Sequence, residues 1–207
     1  MAREHRVSAD RAALAGLEDV LTCTGPTCGD TIDWSSCAIS FPADYRAFVT
    51  AFGDGSIEDI ISILVPDVAS AQPHAATLAR MSDAAAEWED PLGWEYEWAP
   101  ADRGRYERAD LLIWGGTCTG DTLCWVTTDP DPDRWPVAVY ARGRLEWAVY
   151  PCGMAEFLVK LLRNEWPRNP ISDDSFENIV APRFQHEKDE SAAYAVGVDP
   201  WEPSEAT

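Results

Sequence analysis

The sequence predicts an α+β fold with a largely antiparallel sheet flanked by helices. Two observations carry this. Apolar side chains recur at helical spacing at Tyr45, Phe48, Val49 and Phe52, and again at Met154, Phe157, Leu158, Leu161 and Leu162. Between these segments, four short runs rich in β-branched and aromatic residues (111–116, 121–127, 136–142 and 144–150) are separated by turn residues, as in an antiparallel meander.

In chain order, Ser8 is placed to cap a helix over residues 9–21, in which Leu14, Leu17 and Leu21 form one apolar stripe. Residues 22–40 are dense in Gly, Pro, Asp, Ser and Thr and read as an ordered loop. Pro42 then opens the clearest helix, which ends at Gly53, and the Gly53-Asp54-Gly55 turn leads into a β-branched strand over 60–65 closed by Pro66. A second helix is expected over residues 73–88, with Leu78, Met81, Ala85 and Trp88 on one side. In the last run of the meander, Leu145, Trp147 and Val149 alternate with Glu146 and Ala148, and Arg142-Gly143 supplies a tight turn. The closing helix spans residues 154–166, where Pro167 stops it, and should lie on the sheet.

Three regions follow: an N-terminal amphipathic helix (1–22), a central domain (23–168) and an acidic C-terminal extension (169–207). Residues 173–207 carry nine acidic and two basic side chains with few large aliphatics, too little apolar surface to offset the ordering entropy of most of the segment. Phe176, Phe184, Tyr194 and Trp201 are the candidates for local docking.

Charge narrows the partners. Thirty-six Asp and Glu against 16 Lys and Arg give a formal net charge of -20. Such a field disfavours direct binding to nucleic acid or to an anionic membrane, and it steers a basic protein partner inward. The same acidity also serves solubility. No run reaches the roughly 18 apolar residues of a membrane-spanning helix, and the N-terminal segment lacks the apolar centre of a signal peptide, so a cytoplasmic location is expected. Six cysteines in that setting read as reduced thiols.

Catalytic chemistry is sparse, and neither enzymatic activity nor a cofactor is expected. His5, His74 and His186 lie in three separated segments and read as solvent-exposed side chains without a site. Cys23, Cys28 and Cys37 fall within the loose range of zinc-ligand spacing but lack a second well-spaced pair, so no metal is assigned to them and the question stays open. Asp129, Asp131 and Asp133 alternate with Pro130 and Pro132. They read as a rigid solvated connection, because a calcium loop needs a Gly and a closing Glu in register.

Three stretches together resemble the SUKH superfamily (Smi/Knr-like) across residues 33–166. They are ISFPADYRAFVTAFGDGSIEDIISILVP at 39–66, LLIWGGTCTGDTLCWVT at 111–127 and PVAVYARGRLEWAVYPCGMAEFLVKLL at 136–162. In these residues Pro42 starts the helix, Tyr45 packs inward while offering a hydroxyl, Gly53 and Gly55 permit the turn, and Asp121 accepts amide hydrogen bonds before its strand. The resemblance implies an α+β protein-binding module. Bacterial relatives are immunity proteins that neutralise polymorphic toxins, many of them nucleases. Fungal relatives are regulatory scaffolds, which leaves a scaffold or adaptor binding endogenous proteins as the alternative.

The expected contact surface lies between Asp83 and Asp102, which holds seven carboxylates and no Lys or Arg. Glu87, Trp88, Glu89, Asp90, Trp94, Glu95, Tyr96, Glu97, Trp98 and Asp102 are its candidate partner-binding residues, the carboxylates steering and the aromatics anchoring. The equal alternative is that the Trp residues belong to the core, with acidic neighbours solvating the outside.

Overall fold

A computed structural model describes residues 14–67, 78–81 and 97–202. Their strands, β1 (Thr22–Thr24), β2 (Gly55–Ile57), β3 (Ile61–Ile63), β4 (Leu111–Thr117), β5 (Thr122–Val126), β6 (Val137–Ala141), β7 (Glu146–Tyr150) and β8 (Arg183–His186), form one sheet in the order β1-β8-β2-β3-β4-β5-β6-β7, and every neighbouring pair is antiparallel except β1 with β8. The α+β reading holds, and so does the meander: β4 (Leu111–Thr117), β5 (Thr122–Val126), β6 (Val137–Ala141) and β7 (Glu146–Tyr150) follow one another as antiparallel neighbours.

Both faces of this meander are covered, so its strands carry apolar residues at consecutive positions. On β5, Leu123 and Trp125 point into the larger core with α2 (Ala43–Ala51) and α3 (Met154–Leu162), while Cys124 and Val126 join a smaller core with Trp98 and Trp147 on the other face. β6 alternates in the same way, with Val137 and Val139 on one side and Ala138 and Tyr140 on the other.

Helix ends follow local chemistry. Ala43 at the start of α2 donates its amide to the Asp133 carboxylate at 2.7 Å, so the Asp-Pro connection caps a helix from a distance. Asp131 caps the short 3-10 turn Pro132–Arg134 within that connection. The buried Asp44 of α2 in turn accepts from the Ala155 amide at 3.0 Å, tying the start of α3 to the start of α2. The Tyr45 ring is fully buried and its hydroxyl donates to the Leu64 carbonyl at 2.6 Å, as expected. Asp121, 3% exposed, accepts from the Arg142 and Ser172 amides at 2.8 and 2.7 Å and from the Thr117 hydroxyl, the turn-holding role expected of it.

Several boundaries differ from expectation. Helix α1 covers 14–18 and ends before the stripe reaches Leu21, while 9–13 lie outside the described residues. α3 stops at Leu162 rather than near Trp166. Asn164 adopts the left-handed conformation, and the Asn164 and Glu165 amides close back onto the Leu161 and Lys160 carbonyls, so a Schellman cap ends the helix before Pro167. Residues 78–80 are not helical: Arg80 bridges Leu112, and Ile113 donates to the Ala79 carbonyl. Most of the helix expected over 73–88 lies outside the described residues. The β6–β7 turn takes four residues, 142–145, and leaves Leu145 in the left-handed conformation at 62% exposure instead of in the strand.

The largest corrections concern the two ends. β1 (Thr22–Thr24) lies inside the expected loop, and β2 (Gly55–Ile57) pairs with β3 (Ile61–Ile63) in a hairpin ahead of the expected strand. The residues expected to form an extension supply β8 (Arg183–His186), which sits in the sheet between β1 and β2 and leads into α4 (Glu187–Ala195). Phe176 and Phe184 are buried in the larger core, whereas Tyr194 is 49% exposed. A Cβ on Gly55 would lie 2.1 Å from the Gln185 carbonyl oxygen, so the β2–β8 pairing itself demands glycine there.

Candidate functional site

Described polar groups converge beside an open cleft where β8 passes into α4 at the Gly53-Asp54-Gly55 turn. The loop leading there is tied down by a disulfide between Cys23 and Cys28, which corrects the expectation of reduced thiols for this pair; Cys37, Cys118, Cys124 and Cys152 form no disulfide. Beyond the bridge, Asp30 donates its amide to the Val49 carbonyl at 2.9 Å, which fixes it against the last turn of α2.

The Asp30 carboxylate gathers three donors. One oxygen receives the Asp54 amide at 3.0 Å and lies 3.1 Å from His186 Nε2, and the other receives Lys188 Nζ at 2.9 Å. Burial pushes the carboxyl up, but the hydrogen bonds from Lys188 and the Asp54 amide, with the nearby positive charge, hold it below its ordinary value. The Asp30 partnership raises Lys188 correspondingly.

His186 was expected at the surface and is instead fully buried. Its Nδ1 accepts the Lys188 amide at 3.2 Å as the N-cap of α4, which assigns the proton to Nε2 and makes that nitrogen the donor to Asp30. Both ring nitrogens are thereby engaged in holding α4 to the Asp30 loop, the single ring lone pair at Nδ1 by the Lys188 amide and Nε2–H by Asp30. Gly53 completes the fit: its φ is +86°, and a Cβ there would lie 2.7 Å from His186 Nε2.

Asp54 is the group poised to titrate. Burial, together with the negative charges of Glu187 and Asp30, raises its carboxyl from the ordinary 3.8 to about 6. It borders an open cleft of about 440 Å³, walled by Ile32, Val65 and Pro66 and rimmed by Asp54, Glu187 and Lys188.

The ten expected contact residues divide. Glu87, Trp88, Glu89, Asp90, Trp94, Glu95 and Tyr96 lie outside the described residues. Glu97 is half-buried, whereas Trp98 is 1% exposed and stacks on Trp147 with ring centroids 5.5 Å apart, so it belongs to the core rather than to a contact surface. Asp102 is also buried. Its carboxylate accepts the Val149 amide from β7 at 3.1 Å and pairs with Arg105 at 3.3 Å, so it serves the fold. Among the described residues no group of three or more His, Cys, Asp and Glu side chains is placed to hold a metal ion, and in the disulfide Cys23 and Cys28 offer no thiolate. No helix of the described residues is long and apolar enough to cross a membrane.

Asp30, Asp54 and Lys188 were not singled out as site residues from sequence. The available signal was the Gly-Asp-Gly turn, because a turn with glycine on both sides of an acid marks close backbone approach. Nothing in the spacing of Asp30 and His186, 156 residues apart, indicates their contact. The fold and this site define an α+β protein with an acidic cleft at a strand-to-helix junction. No family model matches the chain, and no curated protein or solved structure matches it either.

Proposed function

We propose that this chain is an acidic protein-binding module of the SUKH immunity type, which neutralises a basic toxin domain, such as a nuclease, by binding it directly. The observation that carries the reading is the formal charge of -20, which draws in a basic protein and repels nucleic acid and anionic lipid. The three stretches that resemble SUKH domains support it, as does an α+β architecture with a mostly antiparallel sheet. So does His186, whose two nitrogens both serve the fold.

The test is co-expression with the basic toxin domain encoded beside this chain, followed by stopped-flow binding kinetics of the purified pair. The expected result is rescue of growth, with an association rate that falls steeply between about 0.05 and about 0.5 M salt as screening shortens. Absence of both rescue and binding overturns the reading. Capture of endogenous regulatory proteins in place of a toxin supports the scaffold alternative.

A further inference from the structure

The cleft beside the β8–α4 junction has a charge imbalance and a shape that together specify what it accepts. Among the described lining residues, the carboxylates Asp54, Asp67 and Glu187 stand with Lys188, whose ammonium is hydrogen-bonded to a fourth, Asp30, at 2.9 Å. Asp54 and Glu187 therefore line the cleft without a direct ion pair of their own among the described residues, although the Lys188 charge acts on Asp54 from nearby. The Asp54 side chain accepts no hydrogen bond from the described residues, and Glu187 accepts only the neutral Ser191 hydroxyl at 2.8 Å. Their backbones are joined directly, Glu187 donating to the Asp54 carbonyl at 2.9 Å, so the two acids leave the chain from adjoining points.

The apolar part of the lining is Ile32, Val65 and Pro66, with Thr31 and Asp67 as their sequence neighbours. An apolar wall ending at two carboxylates matches a side chain with an aliphatic stem and a cationic head. The raised carboxyl of Asp54 points the same way, because a partly buried acid without a directly paired cation gains when one arrives.

We propose that this cleft is a socket for a single arginine or lysine side chain of the basic partner, the stem lying along Ile32, Val65 and Pro66 and the head on Asp54 and Glu187. The proposal rests on the partner reading above and gives it a point of attachment away from residues 83–102.

The test separates the two claims. The full chain is titrated with the peptide acetyl-Gly-Arg-Gly-amide and, as a control, with the same peptide carrying norleucine, while backbone amides are followed by NMR. The expected result is saturable shifts at Ile32, Asp54, Val65 and Glu187 with the arginine peptide alone. Asp54→Asn should weaken that binding about five-fold or more, as expected for loss of one charge contact at a partly exposed site. Glu165→Gln, an exposed acid at the end of α3, should leave it unchanged. Unsaturable shifts spread over the acidic surface, equal in the wild type and Asp54→Asn, overturn the socket. With the toxin domain, tight binding by the wild type that Asp54→Asn and Glu187→Gln do not weaken also overturns the socket and leaves the proposed function standing. Failure of the wild type to bind any toxin overturns the function, and the peptide titration then decides the socket by itself.

Discussion

Asp54→Asn removes a charge that the fold holds against its preference, and the effect can be worked out as a function of pH. The gap between the ordinary 3.8 and about 6 corresponds to about 3 kcal/mol if taken at face value. Asp54 remains partly open to water, and solvent screening brings the expected effect down to about 1 kcal/mol. Because the folded-state value is raised, the favourable contribution is fully present below about pH 3.8 and is lost as pH rises through about 6. Asn is neutral throughout, so the variant should match the wild type near pH 4 and exceed it above pH 6. At this chain length about 1 kcal/mol corresponds to a Tm increase of about 2–4 °C. Thermal melts of both proteins across that pH range provide the assay. An equal gain at both ends of the range, or a loss at the alkaline end, refutes the assignment of Asp54 as a carboxylate strained by burial and by Glu187 and Asp30.

Three further outcomes are expected. Trp98→Ala should destabilise by about 3–5 kcal/mol in urea unfolding, because it empties the centre of the smaller core against Trp147. Gly53→Ala should cost about 2 kcal/mol or more, combining the left-handed backbone with a Cβ driven into His186, and should shift the His186 ring resonances in NMR spectra. Cys28→Ser, or reduction of the bridge by a dithiol, should lower stability by about 2 kcal/mol for so short a closed loop, read as a reductant-dependent midpoint in wild type that the variant lacks.

Long, strongly periodic elements were legible in the sequence. α2 and α3 each place apolar residues at every turn of one face, and the four meander strands are long enough to show their composition. β1, β2 and β8 have three or four residues each, too few for two cycles of alternation, and they form because partners distant in sequence supply their hydrogen bonds. Averaging over an acidic tail concealed the Arg183–His186 strand, whose Phe184 is fully buried. Trp98 was legible as an aromatic anchor, but whether it anchored a partner or the core depended on Trp147, 49 positions away and stacked on it. The site was hidden for the same reason: Asp30, Asp54 and His186 come from three separate parts of the chain.

Because β8 lies inside the sheet, the order in which the chain is made matters. Thr22 pairs with Arg183, so the first strand finds its neighbour only once about 160 further residues have been made. Until then β2 has an open edge toward the gap that β8 fills, a surface able to pair with another nascent chain. The Thr22–Arg183 pairing closes a loop of about 160 residues, which makes it a late and slow step through chain entropy. A message truncated before residue 183 would yield a protein with a helical core and meander but a gap in its sheet, a substrate for quality-control proteases rather than a shorter functional form.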